Sequence, residues 1–154
     1  MVKNSILISL SMLLALSGCS LNEKKMTNLE IVKSTYEGKT SEENGKNLAK
    51  YVADDISWTE AKGFPYAGTY ISLESVTKNV FSRLGSEWID YKFTPENYVA
   101  SEDKVVAYGT YTGTYKITNK PFAARVAHIW QLKDSKIVKF EQFVDSKPVN
   151  DAME

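Results

Sequence analysis

The sequence predicts an α+β domain, with helices first and a strongly curved antiparallel sheet after them. Three observations predict it. Apolar residues recur at spacings of three and four in the segments before Gly85, which is the period of an amphipathic helix. Beyond Gly85, four runs rich in β-branched and aromatic residues, around 87–100, 103–117, 121–133 and 136–145, are separated by short polar turns. Such runs read as an antiparallel meander. Gly109 and Gly113 interrupt the longest run, where a sheet would bend sharply.

In chain order, residues 1–18 carry Lys3, an apolar run over 6–16 and the small residues Ser17 and Gly18. That is the form of a secretory leader, and the run is too short to span a bilayer comfortably. Cys19 follows as the single cysteine, so no disulfide within the chain and no cysteine metal site can form. Residues 19–27 read as a short polar tether of ~16 Å reach. The folded domain is expected over 28–148, with 149–154 as a tail.

Leu29, Val32 and Tyr36 share a face of a first predicted helix over 28–38, which Gly38 stops. A second helix is predicted from Ser41 to the Asp54-Asp55 pair, with Leu48, Tyr51 and Val52 on one side. Ile56-Ser57-Trp58-Thr59-Glu60 then alternates as a strand, placing Ile56, Trp58 and Glu60 together. A carboxylate on an apolar face breaks a local rule, as functional positions do; the same pattern also fits a glutamate at a strand's wet end. Residues 62–69 read as an irregular loop whose Phe64 and Tyr66 cover a pocket mouth. Ser72 offers an N-cap for a helix through Leu73, Val76, Val80, Phe81 and Leu84 that Gly85 ends.

The hairpin over 123–145 holds the only histidine, His128. With Asp134-Ser135 as a two-residue turn, Lys133 faces Lys136, Leu132 faces Ile137, Trp130 faces Lys139, His128 faces Glu141 and Ala124 faces Asp145. One face then joins His128, Trp130, Lys139, Glu141, Phe143 and Asp145, a mixture of apolar walls and ionisable groups typical of ligand pockets. The opposite face collects Ile129, Val138, Phe140, Gln142 and Val144, a surface for a homodimer. A bulge would shift this register and reassign a whole strand. His128 is also readable as an ordinary half-buried strand residue bonded to Glu141.

Composition removes several classes of function. Nineteen basic and nineteen acidic residues cancel without a basic cluster, so the electrostatic footprint of a nucleic-acid binder is missing. Gly38-Lys39-Thr40 looks like the end of a phosphate-binding loop, but Lys33 stands where that loop requires glycine. There is no G-x-S-x-G for serine hydrolase chemistry. With one histidine and no usable cysteine a metal site is not expected, and nothing calls for a cofactor.

Two segments carry a resemblance. Ala53-Asp54-Asp55-Ile56-Ser57-Trp58-Thr59-Glu60 resembles the signature of SnoaL-like proteins, and the 123–145 hairpin resembles their C-terminal hairpin. The wider group is the nuclear transport factor 2-like superfamily, which includes ketosteroid isomerases and polyketide cyclases. The resemblance spans about 29–145 and implies a cone, in which a curved sheet wraps N-terminal helices around one deep pocket. Matched on the Ala53-Asp54-Asp55 anchor, Glu60 falls at the isomerase's carboxylate base and Tyr36 at its oxyanion-hole tyrosine. His128 falls near its second oxyanion donor, and Asp145 resembles an acid that several members place on their last strand.

The resemblance thus implies Glu60, His128, Tyr36 and Asp145 as catalytic residues, with Glu141 or Asp145 fixing the imidazole tautomer. Trp58, Tyr66, Trp130, Glu141 and Phe143 would line the pocket. Isomerisation or cyclisation of a small hydrophobic ligand, by proton abstraction next to a carbonyl, is the expected chemistry; the alternative is a non-catalytic binding or dimeric interaction module. Leu16-Ser17-Gly18-Cys19 is similar to the bacterial lipobox, which implies acylation of Cys19 and a lipid anchor at the cell envelope.

Overall fold

Threonine caps start both N-terminal helices. The Thr27 hydroxyl accepts from the backbone N–H of Glu30 while the Glu30 carboxylate accepts from that of Thr27, so orphan donors at the helix start are satisfied reciprocally. This opens α1 (Asn28–Ser34), and Thr40 caps α2 (Ser41–Tyr51) through Glu43. Both belong to a computed structural model that describes residues 25–154. The leader-like residues 1–18 and Cys19 lie outside the described residues.

The chain continues as β1 (Val52–Glu60), β2 (Gly68–Ile71), α3 (Leu73–Val76), a π-helical turn (Thr77–Phe81) and α4 (Ser82–Glu87). Four long strands follow, β3 (Trp88–Ser101), β4 (Lys104–Tyr115), β5 (Pro121–Lys133) and β6 (Lys136–Val144), and then α5 (Ser146–Met153). The six strands form one curved, unclosed sheet in the order β2-β1-β6-β5-β4-β3. The last four are the expected meander, and β1 joins it parallel to β6 with β2 antiparallel at the edge. The fold is α+β, as the sequence predicts.

Two boundaries differ from expectation. Asp54 and Asp55 do not close α2; the strand begins at Val52, and both aspartates sit exposed where β1 loops out of register with β6. The helix expected to end at Gly85 runs on to Glu87. The segment expected as a tail carries the buried side chains of α5, Val149 and Ala152. Gly109 opposes Pro95 at a bulge in β3, where a Cβ would run into the Thr94 carbonyl. Only glycine permits that close approach, and the sheet bends there.

The hairpin turn forms as expected and the register then slips. Asp134 and Ser135 take φ of 50° and 64°, the left-handed pair of a tight two-residue turn. Lys133 pairs with Lys136 and Leu132 with Ile137, but Gln131 pairs with Lys139. Val138 is therefore an extra residue, a bulge, and every later residue of β6 changes face. Trp130 faces Phe140 and His128 faces Gln142. This corrects the predicted faces: Phe140 and Gln142 point inward, while Lys139, Glu141 and Phe143 point out.

Candidate functional site

The curved sheet, the α1–α2 connection and the π-helical turn enclose a cavity of about 280 Å³, at the small end for a ligand site. Trp58, Trp130, Phe140, Phe93, Phe81 and Leu48 supply apolar walls. The Trp58 and Phe140 rings stack at 3.8 Å, and Trp130 meets both edge-on at 5.6 and 4.6 Å. Such ring pairs add to the burial energy and hold the wall rigid. Lys92 stands at the exposed rim.

Alternation on β1 brings Glu60 inside. It is 4 % exposed, Trp58 Nε1 donates to its Oε1 at 2.7 Å, and its Oε2 is buried with no hydrogen-bond partner among the described residues. Burial pushes the carboxyl up to about 7, opposed only by the indole hydrogen bond. Desolvation without a nearby cation is the cause.

Tyr36 arrives from the other side. Asn44 of α2 donates to the Tyr36 carbonyl at 3.0 Å and accepts from the Gly38 N–H at 2.7 Å, which pins the loop after α1. The Tyr36 hydroxyl lies 2.6 Å from His128 Nδ1 and accepts from Trp130 Nε1 at 3.0 Å. On the other ring edge, His128 Nε2 lies 2.6 Å from the Tyr111 hydroxyl, which accepts from Gln142 Nε2 at 3.2 Å. Burial pushes His128 down to about 3, so the imidazole is neutral. Burial also raises both phenols well above their ordinary range, so they remain protonated donors.

Five expected site residues, Tyr36, Trp58, Glu60, His128 and Trp130, therefore line one cavity. Four others do not. Asp145 is exposed and accepts from the Lys147 N–H as the N-cap of α5. Glu141 and Phe143 lie on the outer sheet face because of the Val138 bulge, and Phe143 is 52 % exposed. Tyr66 is buried away from the cavity, accepting from Trp88 Nε1 at 2.7 Å and donating to Glu87 at 2.8 Å. Both imidazole nitrogens lie against tyrosine hydroxyls, not against Glu141 or Asp145. Neither ring nitrogen is left to reach a ligand directly.

The sequence reading put Gln142 on the wrong face and assigned Tyr111 no part in the site. The signal for Tyr111 is its parity with Val105 and Ala107, which alternate inward on β4. Among the described residues no group of three His, Cys, Asp or Glu side chains could hold a metal ion.

A family model described as the SnoaL-like domain matches residues 33–140. An NTF2-like protein from Burkholderia thailandensis is 41 % identical, with a TM-score of 0.80, over 84 % of this chain and 99 % of its own. TerC, co-crystallised with polyporic acid, shares the fold at 16 % identity and a TM-score of 0.71, over 82 % and 97 % of the two chains. So does a protein of ketosteroid isomerase-like fold from Catenulispora acidiphila, in complex with trimethylamine, at 19 % and 0.66 over 82 % and 93 %. No curated protein matches significantly. With two thirds of its length under the family model and its sheet, helices and cavity in place, the chain belongs to the SnoaL-like family of the NTF2-like fold.

Proposed function

We propose that the cavity binds a small hydrophobic carbonyl compound and moves a proton at the carbon next to that carbonyl. One observation carries this reading. Glu60 Oε2 is a buried carboxylate oxygen without a partner among the described residues, facing the same apolar space as the phenols of Tyr36 and Tyr111. A buried polar atom left unpaired demands an explanation, and a substrate C–H is one.

Ionised Glu60 takes the proton; the C–H electron pair becomes the new C=C, and the carbonyl pair moves to oxygen. A hydroxyl of Tyr36 or Tyr111 donates to that developing charge inside a dry site. In a β,γ-unsaturated carbonyl compound protonated Glu60 then returns the proton to the γ-carbon, which isomerises the molecule; alternatively the enolate attacks a second carbonyl of the same molecule, whose oxygen takes the proton back from Glu60 as the ring closes. An acidity near 7 suits both halves of this cycle. The fold shared with TerC, co-crystallised with polyporic acid, and with a protein of ketosteroid isomerase-like fold in complex with trimethylamine supports a small-molecule ligand. The lipobox-like residues 16–19 support a lipid anchor at the envelope, and the half-buried Ile129 with the exposed Phe143 on the outer face support a homodimer.

The test is hydrogen–deuterium exchange next to the carbonyl in D₂O, read by NMR over a panel of cyclic ketones. Wild type is expected to accelerate exchange of at least one member, and Glu60→Gln to lose roughly 10²- to 10⁴-fold of it. Native mass spectrometry of the same samples reads ligand retention, subunit number and acyl chains on Cys19. Equal exchange by wild type and variant would leave a binding module and end the catalytic reading.

A further inference from the structure

His128 is bracketed by two phenols, Tyr36 Oη at 2.6 Å from Nδ1 and Tyr111 Oη at 2.6 Å from Nε2. A neutral imidazole has one donor nitrogen and one acceptor nitrogen. One tyrosine must therefore give its proton to the ring, and the other must receive the ring's proton.

Outside partners complete the count. The Trp130 indole, which can only donate, fills one lone pair of Tyr36 Oη at 3.0 Å. The Gln142 amide nitrogen fills one on Tyr111 Oη at 3.2 Å. That amide cannot be reversed, because its oxygen accepts the Ala61 N–H at 3.3 Å. With the ring proton on Nε2, Tyr36 spends its own proton on Nδ1, while Tyr111 accepts twice and keeps its proton for something else. With the ring proton on Nδ1 the two tyrosines exchange roles. Either way, one phenolic proton is left over.

We propose that the His128 tautomer selects which hydroxyl, that of Tyr36 or that of Tyr111, offers its proton to a ligand oxygen. The Tyr36–His128–Tyr111 clamp presents one phenolic donor at a time, and passes that role between two points on the wall as the bound oxygen moves. This favours ligands with one acceptor oxygen at the tyrosine end, a ketone or its enolate. Tyr91 lines the same cavity, and its hydroxyl is buried without a hydrogen-bond partner among the described residues. His128 is then a positioning residue, not a catalytic one. The inference deepens the reading above and rests on it only in calling the oxygen a substrate's. The tautomer is read without substrate, so failure here is separate from failure of the exchange experiment.

The single histidine makes the experiment clean, since ¹⁵N-histidine labelling gives one imidazole in the NMR spectrum. Wild type is expected to show a neutral ring near neutral pH. Tyr36→Phe is expected to hold the proton on Nε2, facing Tyr111, and Tyr111→Phe to hold it on Nδ1, facing Tyr36. The reason is that a buried N–H without an acceptor is worse than a bare lone pair. If a tyrosine variant does not fold, Gln142→Leu frees a lone pair on Tyr111 and is expected to move the proton toward Nε2. A doubly protonated ring in wild type, the same nitrogen protonated in both tyrosine variants, or no move toward Nε2 in Gln142→Leu would overturn the proposal.

Discussion

Glu60 and Glu87 are the same residue beside the same kind of neighbour, and they end with opposite acidities. Glu60 stands two residues after Trp58 and accepts its indole N–H at 2.7 Å. Glu87 stands one before Trp88, whose indole donates to Tyr66, which in turn donates to Glu87 at 2.8 Å. The difference is a cation. Arg83 donates to Glu87 at 2.7 Å and lies over the Tyr66 ring at 4.4 Å. Partial burial works against the charge on Glu87, yet hydrogen bonds from Arg83 and Tyr66 hold its carboxyl below the usual range. Glu60 has burial without a cation, and its carboxyl sits up at about 7. A carboxylate becomes a proton carrier where it is dry and half paired, and an anchor where a guanidinium reaches it.

Removing the charge at Glu60 should have the largest effect on stability, with a definite sign. Its folded acidity is raised from 4.5 to about 7, so the folded state holds a proton that the unfolded chain has released. Stability from this group is complete below pH 4.5 and lost as pH rises through 7, a total of roughly 3 kcal/mol. His128 acts in reverse. Lowered from 6.5 to about 3, it contributes stability above pH 6.5 that disappears as pH falls toward 3. Glu60→Gln should therefore gain on wild type by up to roughly 3 kcal/mol between pH 5 and pH 8, and not at pH 4. Urea unfolding across that range checks it. A constant difference at all pH values would mean that Glu60 is not buried as an acid.

Trp58→Phe sharpens the comparison from the donor side. It keeps a ring against Phe140 and removes the one hydrogen bond that opposes burial at Glu60. A hydrogen bond to a charged group is worth ~2 kcal/mol, so the rising limb of the exchange profile should move alkaline by about 1.5 pH units. An acid shift would mean that burial is not what raises Glu60.

How much of this was legible follows from which interactions are local. The alternation Ile56, Trp58, Glu60 is set by the pleat itself, so the inward carboxylate could be read from nine residues of chain. The Asp134-Ser135 turn likewise follows from residues tolerant of positive φ. The Val138 bulge has no such signature. It arises because β6 pairs with β5 on one side and with an out-of-register β1 on the other. One extra residue exchanged Glu141 and Phe143 for Phe140 and Gln142, and with Gln142 came the partner of Tyr111. The tyrosine clamp on His128 joins the loop after α1 to β4 and β5, segments far apart in sequence, so no window of the chain contains it.

Glu87→Gln should have the smallest effect, and for that reason it tests the comparison most sharply. Glutamine keeps a carbonyl oxygen for the Tyr66 hydroxyl and loses only the Arg83 ion pair, whose side chains are 46 % and 25 % exposed. An exposed pair of that kind contributes under ~1 kcal/mol, and less in salt. Unfolding should therefore shift slightly at low ionic strength and hardly at all at high, with ketone exchange unchanged. Since Glu87 is not among the residues lining the cavity, a loss of exchange comparable to that of Glu60→Gln would mean the two carboxylates act on one another through the Tyr66–Trp88 contact. Burial and solvation alone would then no longer explain why one glutamate carries a proton and the other carries a helix end.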